Sequence, residues 1–289
     1  MNDFLLSVLL GIVEGLTEFL PVSSTGHLRI VEALFHLNLH DSFWKMYTIV
    51  IQLGAILALP VYFWNRILNF LGTFPKGERG DRNLLTHPLS LTMIAFVVTA
   101  LPAWALHKKI GENLEKLWVI ALALLIGGVV MWIVDALCTR PRVMHMEEMS
   151  LPQAIWIGAC QILSAVFPGT SRSMSTIAAG QLASLSREAA LEFSFFLSMP
   201  TMAVATLYDF YKTLKPSHDN AGEGALAPLS MNSHEWIVLA IGFIISFIVA
   251  LAVVAWFMHW VRRRGFAPFA IYRIVLGIVL IILLTRGLI

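Results

Sequence analysis

The sequence predicts an all-α polytopic membrane protein: an inverted repeat of two halves, each with a re-entrant helix hairpin plus transmembrane helices. Three observations carry this. Only 13% of residues are charged against 58% hydrophobic, with a mean hydropathy of +0.77, whereas soluble domains carry about 25% charged residues. Uncharged runs near bilayer length recur along the chain. One polar-interrupted segment occurs twice.

The first apolar run, 4 to 20, is short and holds the carboxylates Glu14 and Glu18 before a break at Pro21. Runs at 46 to 64, 89 to 106, 117 to 134 and 236 to 258 match or approach the roughly 17 to 25 residues that cross a bilayer. Shorter or interrupted runs lie near 151 to 168, 193 to 208 and 274 to 285. Uninterrupted runs of this length are helical spans and not the alternating strands of a membrane barrel. The start, MNDFLL, lacks the basic lead of a cleaved signal peptide and is kept in the mature fold.

A shift of 147 residues lays GIVEGLTEFLPVSSTGH (11 to 27) over GACQILSAVFPGTSRSM (158 to 174). Gly11, Leu16, Pro21 and Ser24 then fall on Gly158, Leu163, Pro168 and Ser171, and Glu14 meets Gln161. Each copy is a short apolar helix stopped by proline and opening into a hydroxyl-rich turn. The chain therefore divides into halves 1 to 145 and 146 to 289 of one membrane domain. A half-helix of about ten residues rises only about 15 Å, so each motif should enter the membrane and turn back. Non-helical backbone at that depth must be buried in protein or face a wet cavity, so the two turns should meet in one polar pocket.

The connector 65 to 88 carries Arg66, Lys76, Arg79 and Arg82, while its mate near 212 to 235 carries Lys212 and Lys215. That asymmetry places 65 to 88 inside and its mate outside, with HKKIGENLEK (107 to 116) then outside as well. The net charge of +2 and clusters such as Arg262 to Arg264 suit headgroups and orientation, not nucleic acid. Cys138 and Cys160 have no metal-ligand spacing and read as packing residues.

Glu14 and Glu18 share one helix face. Such a pair repels unless a cation sits between the two or one keeps its proton. The candidate roles are a Mg²⁺ or Ca²⁺ site or a general acid/base, against the plain alternative that both reach water at a segment end. Ser23, Ser24, Thr25 and Gly26 offer hydroxyls and backbone N–H groups for phosphate oxygens, or merely cap the helix. In the second copy Arg172, flanked by Ser171 and Ser173 with Thr176 beyond, could hold a phosphate in bidentate fashion or snorkel to headgroups. His27 is a candidate nucleophile or proton carrier. Asp135 and Glu192 read as interfacial span ends, and Arg273 as pairing with a carboxylate or carbonyl inside the bundle. Gly127, Gly128 and Gly277 read as close-packing positions. No P-loop is present.

EGLTEFLPVSSTGH (14 to 27) and PGTSRSMST (168 to 176), with IQLGAILA, EFSFFLSMP and PFAIYR in the same order along the chain, resemble the undecaprenyl-diphosphate phosphatase family of the bacitracin-resistance type. The resemblance implies a bacterial inner-membrane enzyme that removes the terminal phosphate of undecaprenyl diphosphate. That reaction recycles the carrier lipid for peptidoglycan synthesis and confers bacitracin resistance. It further implies a pocket open to the periplasm and a divalent cation, Mg²⁺ or Ca²⁺, tied to Glu14 and Glu18. His27 matches the family's proposed catalytic histidine, and Ser24, Ser171, Arg172, Ser173 and Thr176 its diphosphate-binding positions. Met174 departs from the glycine expected there. The implied partners are the polyprenyl diphosphate and membrane lipids, without nucleic acid; a homodimer is one assembly open to the chain. A different class, a polyprenyl-phosphate transporter or flippase, shares the repeat and its hairpins. A lipid-phosphate acid phosphatase fares worse, because its lysine-arginine motif and its histidine-aspartate pair are missing.

Overall fold

A computed structural model describes residues 2–35, 42–114, 116–214 and 231–287. Lys215 and the 215–230 part of the second connector lie outside these residues, as does Glu115. Within them the helices are α1 (Asp3–Thr17), α2 (Ser24–Leu34), α3 (Ser42–Tyr62), α4 (Trp64–Thr73), α5 (Pro88–Ala105), α6 (His107–Leu114) and α7 (Leu117–Leu137). A 3-10 turn (Met146–Glu148) then leads to α8 (Leu151–Val166), α9 (Arg172–Leu182), α10 (Arg187–Leu214), α11 (Ser233–Arg263) and α12 (Ala267–Thr285).

Five helices, α5, α7, α10, α11 and α12, are long and apolar enough to cross a bilayer, and α3 with α4, taken as one bent span, adds a sixth. The run 46 to 64 is not one straight span: it breaks at Phe63, one turn after Pro60, and bends by 62°. The runs 193 to 208 and 274 to 285 prove too short, because α10 and α12 each enclose a charge that the uncharged run left out. Glu192 of α10 pairs with Arg66 at 2.9 Å, and Arg273 of α12 is wholly buried among carbonyls. A charge satisfied by protein can sit inside a span. For the same reason Glu192 and Asp135 are not solvated span ends. Asp135 is buried, accepting from Arg187 at 2.6 Å, from Gln181 at 3.2 Å and from the Phe266 N–H at 2.9 Å, which fixes the start of α12 against the end of α7.

The helices touch where small residues permit. A Cβ on Gly11 would meet the Gly242 carbonyl at 2.8 Å, and one on Gly158 would strike the Ala95 carbonyl. The 147-residue shift carries Gly11 onto Gly158 and Ala95 onto Gly242, so one contact is the image of the other. Thr99 and Ser246 are mates too, and each donates to two helix carbonyls: Thr99 to Ala95 and Gly158, Ser246 to Phe243 and Ile51. Along α1, residues 7, 11 and 15 lie against 238, 242 and 246 of α11, so these helices are parallel. Along α8, residues 158 and 161 lie against 95 and 99 of α5, which is parallel again.

Helices α5 and α11 run in opposite directions. Arg66 and the Arg262 end of α11 both pair with the first turns of α10, and His87, just before α5, packs edge-on to Phe70 of α4. The hairpin α1–α2 thus enters from one face and α8–α9 from the other. Gly127, Gly128 and Gly277 let α7 and α12 close: a Cβ on Gly277 would meet the Leu125 N–H at 2.8 Å, and one on Gly127 would strike the Arg273 guanidinium. Cys138 and Cys160 are unpaired and pack against the core. That core, centred on Phe19, Phe63, Phe195 and Phe257, lies directly behind the end of α1.

Candidate active site

Both hairpins break in the same way. Glu18 still donates its N–H to the Glu14 carbonyl at 2.9 Å, and Phe167 to Leu163 at 2.9 Å, but the prolines that follow cannot extend the ladder. Each return helix then starts from a serine in the left-handed region, Ser23 at φ 73° and Ser171 at φ 69°, a conformation that costs of order 1–3 kcal/mol outside glycine. The Ser23 hydroxyl accepts the Gly26 N–H at 3.3 Å, and the Ser171 hydroxyl accepts the Met174 N–H at 3.4 Å. Structurally, then, Ser171 is the mate of Ser23 and not of Ser24. The second turn holds one more residue, and Gly169 absorbs it at φ 96°, where a Cβ would meet the Ile120 carbonyl at 2.5 Å.

The breaks bring the polar side chains together. Glu18 accepts the Ser24 hydroxyl on Oε2 at 2.5 Å and the Arg172 guanidinium on Oε1 at 3.3 Å. Glu14, 1% exposed, lies against Glu18, and its Oε1 is buried without a partner. Nε and Nη1 of Arg172 are likewise buried and unfilled, while its guanidinium carbon lies over the Phe19 ring, 5.9 Å from the centroid. Ser173 donates to the Leu20 carbonyl at 3.0 Å and lies 3.0 Å from the Ser171 hydroxyl, so the second turn is fastened to the first. Thr176 is fully buried, one turn along α9; its hydroxyl reaches the Arg172 carbonyl at 2.9 Å and Ser194 of α10 at 2.6 Å. Met174 is buried, with its methyl group in the space that Gly127 leaves open.

His27 stands apart from the carboxylates. Its Nδ1 lies 2.7 Å from the Ser23 carbonyl and its Nε2 2.6 Å from the Tyr272 hydroxyl. Next to Tyr272, Arg273 sends Nη1 to the Pro21 carbonyl at 3.1 Å and Nη2 to the carbonyls of Gly169 at 2.9 Å and Ala123 at 3.1 Å. One buried guanidinium thereby holds both hairpin breaks. Two helix N-termini, α2 and α9, also converge here, each with its positive dipole end and free N–H groups.

A cation would find hard oxygen donors at Glu14, Glu18 and Ser24, and the partnerless Glu14 Oε1 fits that use. No group of three or more His, Cys, Asp or Glu side chains with metal-binding geometry occurs among the described residues. The remaining coordination positions would fall to phosphate or water oxygens, as is usual for Mg²⁺ on one or two carboxylates.

The family described as Bacitracin resistance protein BacA matches residues 7–279. The chain belongs to that family. Among its BacA-family relatives, an undecaprenyl-diphosphatase of Koribacter versatilis (strain Ellin345) is 64% identical, covering 96% of this chain and 97% of the relative. One from Caldanaerobacter subterraneus subsp. tengcongensis is 41% identical over 99% and 98%, and one from Nitrobacter hamburgensis 40% identical over 99% of both. Three features of this BacA-family site escape sequence reasoning: the equivalence of Ser23 with Ser171, the Tyr272 contact to His27, and the Ser194 partner of Thr176. Only Tyr272 had a signal, its place in PFAIYR, and that segment names no chemistry.

Proposed function

We propose that the chain hydrolyses undecaprenyl diphosphate to undecaprenyl phosphate and inorganic phosphate in a bacterial inner membrane. Relatives spanning nearly the whole chain bear the name of that activity. The observation that supports it best is the buried Arg172 guanidinium with two N–H-bearing nitrogens unfilled, set against Glu18 and beside the unpartnered Glu14. Two unfilled donors in a water-poor site are what a phosphoryl group with developing negative charge requires.

In this reading an unfilled N–H of Arg172 donates to the terminal phosphate, beside the hydroxyls of Ser24, Ser171 and Ser173. Thr176 keeps the first turn of α9 rigid beneath Arg172. Glu14 and Glu18 hold Mg²⁺ or Ca²⁺, which when bound neutralises phosphoryl charge. His27 exchanges the proton of the attacking water or of the departing phosphate. The P–O bond of the anhydride breaks, and the lipid keeps the inner phosphate. The face bearing Arg66, Arg79, Arg82, Arg140, Arg142 and Arg262 to Arg264 is the cytoplasmic one by its positive charge, so α1–α2 enters from the periplasm.

The test is phosphate release from undecaprenyl diphosphate by the purified chain, with Mg²⁺ or Ca²⁺ and with chelator. Release that the chelator abolishes is expected; none with either cation would overturn the reading. Opposed hairpins also frame transporters. Movement of polyprenyl phosphate across liposomes by an Arg172→Ala variant would favour that class instead.

A further inference from the structure

His27 is held from both sides. A carbonyl oxygen only accepts, so the 2.7 Å contact from Nδ1 to Ser23 means that Nδ1 carries the hydrogen. In the neutral ring Nε2 is then bare, and the Tyr272 hydroxyl, 2.6 Å away, donates to it. The two rings lie 10° from parallel with centroids 5.6 Å apart. The backbone that carries Tyr272 is held, because Arg273 beside it is anchored to Pro21, Gly169 and Ala123. On the other side Ser23 is fixed by its own left-handed cap.

We propose that Tyr272 is the positioning residue of His27: the Ser23 carbonyl fixes the Nδ1–H tautomer, and the Tyr272 hydroxyl caps and orients the Nε2 that this leaves bare. Two consequences follow from the geometry. While the contact lasts, Nε2 has no open approach to phosphorus, so His27 serves as a proton carrier and not as the nucleophile. A hydroxyl both donates and accepts: it donates to the bare Nε2 and accepts from Nε2–H once the ring is charged. The same contact therefore holds the ring in either state: as the hydroxyl gives its proton to Nε2 its oxygen takes one from the water or phosphate, and the reverse exchange returns it, so His27 charges and discharges without changing rotamer.

The proposal rests on the phosphatase reading only for its kinetic arm. In the full-length chain, Tyr272→Phe keeps the ring and removes the hydroxyl. With undecaprenyl diphosphate and Mg²⁺, kcat should fall roughly 10- to 100-fold, within the range of a proton-transfer contribution, with KM changed less than about twofold. The second arm needs no turnover. In ¹⁵N-histidine-labelled protein, with the His27 signals assigned by their loss in His27→Gln, the wild type should show the Nδ1–H form with Nε2 accepting a hydrogen bond, and Tyr272→Phe the same tautomer with the Nε2 signal moved toward that of an unbonded nitrogen. An unaltered kcat in Tyr272→Phe, an Nε2 signal that the substitution leaves in place, or a wild-type His27 protonated on Nε2 alone, would overturn the proposal. A chain that releases no phosphate would sink the phosphatase reading and leave the ¹⁵N measurement decisive for this one.

Discussion

Arg172 donates to Glu18 across 3.3 Å, and through that contact the second hairpin reaches the first. Both side chains are largely buried, at 12% and 5% exposure, so neither ion is easily left alone. Removing one partner strands the other, which costs about 3–5 kcal/mol. Arg172→Ala and Glu18→Ala should each lower phosphate release by at least about 100-fold and lower the melting temperature. The double variant Glu18→Gln, Arg172→Met should melt higher than either single alanine variant while staying inactive. Thermal unfolding in detergent beside a phosphate-release assay reads both effects.

The paired glycine contacts make a second expectation. Gly158→Ala places a methyl group against the Ala95 carbonyl, and Gly11→Ala one against Gly242. Each should destabilise by about 1–3 kcal/mol, the usual cost of overpacking, because the obstacle is backbone. Gly72→Ala, with nothing within 4 Å of its Cβ, should match or slightly exceed wild-type stability. Denaturation midpoints of the three variants decide it.

Arg273 offers a third. Arg273→Met leaves the carbonyls of Pro21 and Gly169, at the two hairpin breaks, without this donor, at about 1–3 kcal/mol for each stranded group. Arg273→Lys keeps the charge, but one ammonium lacks the flat fork that spans both breaks. Both variants should therefore lose most phosphate release, with Lys the more stable of the two. Melting temperature and turnover, measured on the same preparations, check the ranking.

Between the halves, outside the membrane, Glu148 accepts the backbone N–H of Met144 at 2.8 Å and of His145 at 3.3 Å. These donors, Met144 first, hold its carboxyl below the ordinary range. A depressed folded value contributes stability above the unfolded value, near 4.3, and that stability is lost as pH falls through the folded one. Wild type should melt above Glu148→Gln at neutral pH, and the gap should close on acidification. A gap that widens below pH 4 would contradict this.

Much of the frame was legible before any coordinates. Scarcity of charge marks the spans, and the 147-residue shift relates the two hairpins, but that Gly11 packs on Gly242 and Gly158 on Ala95 is read only from the structure. The ends of α10 were not legible, because Glu192 is tolerated only through Arg66, 126 residues away. The slip in the second turn was hidden as well, since residue identities align Ser24 with Ser171 while backbone dihedrals align Ser23. Glu14, Glu18, Ser24 and Arg172 could be picked out from their types and spacing. Tyr272 could not, because it meets a histidine 245 residues earlier.

The opposed hairpins also differ in when they find their partners. α8 emerges after α5 and can dock at once, since Thr99 and Gly158 are 59 residues apart. α1 must wait for α11: Ser7 meets Val238 only after 231 further residues, roughly 12 to 46 seconds of synthesis at 5–20 residues per second. Through most of that interval Glu18 also lacks Arg172, 154 residues ahead. Of the two hairpins, the one made earlier is seated later, and its two acids spend the wait without the charge that will face them.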